Sequence, residues 1–319
     1  MEWLKILPMP KKYLYIVLFT LGLAILFYVI CNSDIITNIP VFFQLNLYFL
    51  VLALIFSLAN IFLKIVRWKY LSRTYNQQIF WVDAAIVTIS SFFYANITPG
   101  KIGDLFKAYY MKRKYGLDLQ SGISMIFYER FFEIVILFIF SLLILFTRVD
   151  DTSIILLQLT ALIIGFLIVF YYKSELFLRH AVKILIKVKK STNLSYQFIL
   201  QKIPLMPVII TFILSLTSLL FEFGRLWLVI IGFGYYISPL DTAILFSLSI
   251  IFGLISQIPL GIGVMEGSLS VMLEKLGIPA SFSIAIVLVD RTISMYLALV
   301  IGFIVSQFSL LEMITDQEK

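Results

Sequence analysis

The chain has 319 residues, 61% of them hydrophobic and 13% charged, with a mean hydropathy of +1.02. These values exclude an ordinary soluble domain, in which about a quarter of residues are charged. The net charge of +7 reads as a bias toward one membrane face rather than a nucleic-acid footprint, and the single cysteine, Cys31, excludes an intrachain disulfide or thiolate metal site.

In chain order, the apolar runs 13–31 and 41–63 are each long enough to cross a bilayer, which takes about 20 residues. Lysines precede the first run and no small-residue cleavage site follows it, so it is expected to be a retained span. Lys64, Arg67, Lys69 and Arg73 follow the second run without an acid and mark its cytoplasmic end. The run 84–100 poses the topological question. If it crosses, Lys107, Lys112, Arg113 and Lys114 lie outside, against the bias. If it turns at Pro99-Gly100 and returns along 102–110, they stay inside. A re-entrant hairpin over 84–110 is therefore expected, with its irregular backbone covered by protein or water.

Crossings at 119–146 and 153–172 follow, then a connector over 173–202 with a basic amphipathic stretch at 174–190. His180, the only histidine, reads as a surface residue there. A span over 205–233 carries Glu222 and Arg225, a second hairpin is expected over 242–276, and 280–311 makes the last crossing. Of the 25 Lys and Arg, only Arg148 and Lys275 then lie outside, while Arg130, Arg225 and Arg291 fall within spans. Both termini are expected in the cytoplasm, at the plasma membrane.

The chain also repeats itself. Pro99, Ile102 and Gly103 recur as Pro259, Ile262 and Gly263; Gly116-Leu117 recurs as Gly277-Ile278; Glu129-Arg130 recurs as Asp290-Arg291. Arg67-Trp68 is echoed by Arg225-Leu226-Trp227. The expected fold is one all-α polytopic membrane domain over 1–319. It has about six full crossings plus two re-entrant helical hairpins, eight membrane segments in all. They are arranged as an inverted-topology repeat, with repeat one about 41–147 and repeat two about 205–311. Transporters with a mid-membrane site use this architecture.

The second half-helix of each hairpin is expected to start near the midplane, where unpaired N–H groups and a partial positive charge favour an anion. Gly103 and Gly263 are expected to let a headgroup approach the backbone. Arg130 and Arg291 supply charge in a geometry suited to phosphate, with Glu129, Glu133 and Asp290 balancing it. Intramembrane charges cost about 2.5–3.5 kcal/mol each on insertion scales, so structural pairing is the alternative reading of each.

The motif N-x-T-P-G-K-x-G-D-x-x-K from Asn96 to Lys107, the Glu129-Arg130 pair, and P-x-G-x-G-x-x-E from Pro259 to Glu266 with Asp290-Arg291 resemble the flippase-like transmembrane domain of the lysylphosphatidylglycerol synthases. Leu260 and Met265 depart from that pattern, standing where relatives often have glycine and a basic residue. The resemblance implies movement of an anionic lipid or polyprenyl-phosphate-linked molecule between leaflets, without the synthase domain. It adds Asn96, Thr98, Pro99, Gly100, Lys101, Asp104, Lys107, Pro259, Gly261 and Glu266 to the expected binding set, with Arg67, Glu222 and Arg225 secondary. No catalytic residue, metal or cofactor is expected. Expected partners are the transported lipid, anionic inner-leaflet lipids, and a further copy of the chain or a lipid synthase, but no nucleic acid. The alternatives are a non-transporting accessory subunit of a lipid-modifying system and a membrane-embedded lipid-modifying enzyme. Against the enzyme stands the lack of an intramembrane histidine or a nucleophile–base pair.

Overall fold

The computed structural model of the protein describes residues 12–33, 35, 39–143 and 203–315. The expected crossing at 153–172, the connector at 173–202 and His180 lie outside the described residues. Every described regular element is helical. Among the described residues, four helices are long and apolar enough to cross a membrane: Leu47–Thr74, Leu205–Gly232, Pro239–Ser256 and Ala280–Phe308. The protein is a polytopic membrane protein, all-helical over the described residues.

Helix α1 (Lys12–Asn32) is followed by a short 3-10 turn and then α2 (Leu47–Thr74). The expected second span, 41–63, is displaced. Asn46 caps α2 by accepting from the Tyr48 N–H, so the helix begins later and runs on through Lys64, Arg67, Lys69 and Arg73. Arg67, expected beyond the cytoplasmic end of that span, is a buried residue inside the helix. A basic run with no helix breaker continues a helix as readily as it starts a loop.

Next come α3 (Trp81–Ile97), a 3-10 turn at Pro99–Asp104, α4 (Leu105–Tyr115) and α5 (Leu119–Leu142). Helix α4 runs beyond the expected 110, to a left-handed Gly116 whose N–H closes on the Lys112 and Met111 carbonyls. Helices α3 and α4 fold back on each other. At the closed end, Gly103 lies against the Tyr94 carbonyl and Phe106 packs on the Tyr94 ring at 4.6 Å. At the open end, Asp83 takes hydrogen bonds from Tyr110, Lys114 and Tyr115, and Tyr115 also accepts from the Phe80 N–H. The segment thus returns to the end of the molecule from which it departs.

The second half comprises α6 (Leu205–Gly232), α7 (Pro239–Ser256), a tight turn at Pro259–Gly261, α8 (Val264–Lys275), α9 (Ala280–Arg291), a π-turn at Thr292–Tyr296 and α10 (Leu297–Thr315). Helices α7 and α8 also fold back: Gly253 and Gly261 meet at the closed end. At the open end Phe282, just beyond α8, packs on Phe233 and Tyr235, just before α7.

Helices α2 and α6 form an antiparallel pair. Asn46 at the start of α2 donates to the Gly232 carbonyl at the end of α6, while Arg67 reaches Ser215. Because α3–α4 opens beyond the end of α2 and α7–α8 beyond the end of α6, the two folded-back segments open at opposite ends of the molecule. Their closed ends are in contact with each other.

Candidate functional site

A cavity of about 180 Å³ lies between the two closed ends. Seven cations line it: Lys64, Arg67, Lys101, Lys107, Arg130, Arg225 and Arg291. Among the described residues, two carboxylates, Glu133 and Glu222, share the wall with them. Four more stand behind the cations. Asp104 holds Arg130, and Glu129 holds Lys107 at 2.7 Å and Arg67 at 3.1 Å. Asp290 holds Arg225 at 2.8 Å and Glu266 holds Arg291 at 2.8 Å. Such an arrangement turns positive charge inward while keeping most cations neutralised from outside.

The ion pairs repeat. In the first half, the arginine of α2 pairs with the acid preceding the α5 arginine, Arg67 with Glu129. The arginine of α5 pairs with an acid at the turn exit, Arg130 with Asp104. In the second half Arg225 pairs with Asp290, and Arg291 with Glu266. Glu129 and its neighbour Arg130 point to different partners, as adjacent residues on a helix must. Two further contacts join positions separated by the same 158 residues, Lys64 with Glu222 and Ser218 with Asn60. If the halves are related by that offset, equivalent residues touch only where their symmetry axis passes.

Of the expected site residues, Asn96, Thr98, Lys101, Lys107, Arg130, Glu133, Gly261 and Arg291 line the cavity, together with Arg67, Glu222 and Arg225. Asp104, Glu129, Glu266 and Asp290 hold cations from behind. Pro259 is buried in the second turn and, like Gly103 and Gly263, does not line the cavity. Pro99 and Gly100 belong to the first turn.

Two expectations change. A Cβ on Gly103 would lie 1.9 Å from the Tyr94 carbonyl oxygen, and one on Gly263 would lie 2.2 Å from the Gly22 carbonyl oxygen. Both glycines serve close packing between chain segments rather than approach of a headgroup. The start of α8 is not an open anion site, because Glu266 Oε2 accepts from the Gly263 N–H at 2.7 Å. The Gly103 N–H is likewise taken, by Thr98 Oγ1 at 2.7 Å. Positive potential in this cavity therefore comes from side chains more than from helix termini.

Leu260, where a glycine was looked for, has φ 63° and ψ −8°, a left-handed conformation that costs a branched side chain about 1–2 kcal/mol. Its carbonyl accepts from Arg291 Nη2 at 2.8 Å, which holds the turn in place. Lys101 is also left-handed, with φ 56°. The Lys101 backbone N–H donates to the Thr98 carbonyl, and among the described residues its side chain is the one cavity cation with no hydrogen-bond or ion-pair partner.

Lys64, Asn60, Thr88, Gln257 and the apolar wall of Phe92, Phe246, Ile250 and Leu254 were not foreseen as site residues. Asn60 and Lys64 share one helix face with Arg67, and that spacing was the available signal. Thr88 is fully buried with an unpartnered hydroxyl, and no sequence pattern marked it.

The family model described as lysylphosphatidylglycerol synthase TM region matches residues 14–302. A UPF0104 membrane protein of Methanocaldococcus jannaschii is 25% identical, over 94% of this chain and 95% of its own length. A UPF0104 membrane protein of Methanothermobacter thermautotrophicus is 39% identical over a shorter stretch, 30% of this chain and 29% of its own. A second M. jannaschii protein of that description is 27% identical over 66% of this chain and 92% of its own.

Proposed function

The chain belongs to the lysylphosphatidylglycerol synthase TM region family, and from that membership and the cationic cavity we propose a transporter that moves an anionic lipid or polyprenyl-phosphate-linked molecule between leaflets. The phosphate sits between the two turns, near Lys101, Arg130 and Arg291. The observation that carries the proposal is the lining: seven inward-facing cations against two carboxylates, in a chamber built from both folded-back segments. Arginine forks and lysine ammoniums are suited to phosphate oxygens, and charge held inside a membrane protein marks substrate pathways.

In this reading α3–α4 and α7–α8 are re-entrant hairpins, dipping from opposite leaflets and meeting at the midplane. The return limbs support it: α4 has 11 residues and α8 has 12, against the roughly 20 needed to cross, so that α7, although long enough to cross on its own, is followed by a limb that is not. The opposite openings and the doubled ion pairs support two inverted repeats, with Lys64 and Glu222 on the axis between them. Alternating access then consists of rocking one hairpin against the other around a fixed site. Both termini lie in the cytoplasm, at the plasma membrane.

Two experiments test this. A cysteine at Lys112, an exposed residue at the open end of α3–α4, is expected to react with an impermeant maleimide only from the cytoplasmic side, in a background with Cys31 replaced. Labelling from outside removes the re-entrant topology. In proteoliposomes, a labelled anionic phospholipid is expected to exchange leaflets with the protein and at least about tenfold more slowly with Arg130→Ala/Arg291→Ala, a loss of about 1.4 kcal/mol of barrier lowering or more. An absence of movement with intact protein instead favours an accessory lipid-binding role.

A further inference from the structure

We infer that the cavity selects its lipid by total headgroup charge: it takes a phosphodiester bearing one negative charge, and Lys101 sets that preference. This inference rests on the reading of the cavity as a headgroup site. Among the described residues, the seven lining cations face six carboxylates, two in the wall and four behind it, which leaves one positive charge in excess. The excess is located. Each of the other six cations has a carboxylate within 3.1 Å, whereas Lys101 has none among the described residues.

A monoanion placed beside Lys101 brings the chamber to neutrality without disturbing any existing pair. A phosphomonoester with two charges leaves one uncompensated, or must take a cation from a buried carboxylate and strand that carboxylate instead. A zwitterionic headgroup fails for the complementary reason. Its ammonium needs a free carboxylate, but Glu133 already holds Arg67 and Arg130, and Glu222 holds Lys64 and Asn60.

Size and wall chemistry point the same way. At about 180 Å³ the chamber is smaller than the roughly 300–1,000 Å³ of pockets that enclose whole ligands, so it houses a headgroup while the chains remain outside. Thr88 presents a buried, unpartnered hydroxyl in the wall, ready to bond a phosphate oxygen or a headgroup hydroxyl. Ile250, Leu254 and Ile258 give the chamber an apolar side along which the acyl-chain end of the lipid can leave it, and Gln257, an exposed residue, also lines it.

The test is native mass spectrometry of the detergent-solubilised protein, incubated with equal amounts of phosphatidylglycerol, phosphatidylethanolamine and phosphatidic acid of identical acyl chains. At pH 7 the last carries about 1.5 to 2 negative charges. Retention of phosphatidylglycerol is expected to exceed that of the other two by at least about tenfold. Lys101→Gln erases the preference, Lys101→Arg keeps it, and Lys112→Gln, which removes an exposed cation outside the cavity, leaves it unchanged. Equal or greater retention of the zwitterion or the dianion overturns the inference, as does a Lys101→Gln protein that still selects phosphatidylglycerol. Displacement by soluble glycerophosphoglycerol at matched concentration overturns the assignment to a lipid. Selective retention without leaflet exchange in liposomes removes the transport proposal and leaves the charge selection standing; exchange with no charge preference does the reverse.

Discussion

Glu129→Gln is expected to be the most damaging single charge change in the protein. The carboxylate is 1% exposed and serves two cations, Lys107 at 2.7 Å and Arg67 at 3.1 Å. Removing one partner of a buried pair costs about 3–5 kcal/mol, because the remaining charge stays buried without compensation. The two cations are not stranded equally. Arg67 keeps Glu133 at 2.7 Å and Ser215 at 2.8 Å, whereas Lys107 is left with only the Trp68 ring, 4.8 Å away. The apparent melting midpoint in detergent should fall by on the order of 10 °C. Adding Lys107→Met should restore most of the loss, since it removes the stranded charge and keeps the volume. Asp290→Asn should behave likewise through Arg225. Glu222→Gln should cost less, because Lys64 and Glu222 retain 19% and 13% side-chain exposure. A midpoint that falls as far for Glu222→Gln as for Glu129→Gln would contradict this electrostatic account.

Gly103→Ala is expected to abolish folding of the first turn. Its Cβ would lie 1.9 Å from the Tyr94 carbonyl oxygen and 2.2 Å from the carbonyl carbon, both backbone atoms with no rotamer to yield. Ordinary overpacking costs about 1–3 kcal/mol, and relief here requires separating α3 from the turn. The Gly103 N–H bond to Thr98 would be lost with it. Gly116→Ala provides the contrast. That position has φ 67° but nothing within 4 Å of an added Cβ, so the cost is the left-handed conformation alone, about 1–2 kcal/mol. Size-exclusion profiles of fluorescent fusions should show aggregate for the first variant and a monodisperse peak for the second. A monodisperse Gly103→Ala protein means that the turn packs differently.

The two glycines also show how sequence reading succeeds and fails. That Gly103 and Gly263 recur at the same place after a proline was visible in the chain, and it correctly located two turns. What the glycines do was not visible, because the groups they accommodate, Tyr94 and Gly22, belong to other segments. The same division runs through the charges. Their type and position within apolar runs marked Glu129, Arg130, Asp290 and Arg291 as costly and therefore purposeful. Their partners depended on which helices are neighbours. Arg67 was expected just past the cytoplasmic end of the second span, as a secondary site residue, because its membership of a 28-residue helix rests on Asn46 capping and on packing against α6, not on local hydrophobicity.

The sequence by itself determined the membrane class, the two interruptions, the repeated motifs and most of the charged residues at the site. These are local or periodic properties: apolar run length, proline and glycine chemistry, and a recurring offset. Only the tertiary structure decided which acid neutralises which base, that four carboxylates stand behind the cations, and that the Lys101 side chain has no partner among the described residues. Ion pairing in a low-dielectric interior depends on separations of a few ångströms between distant segments, and the order of residues along a chain does not encode those distances.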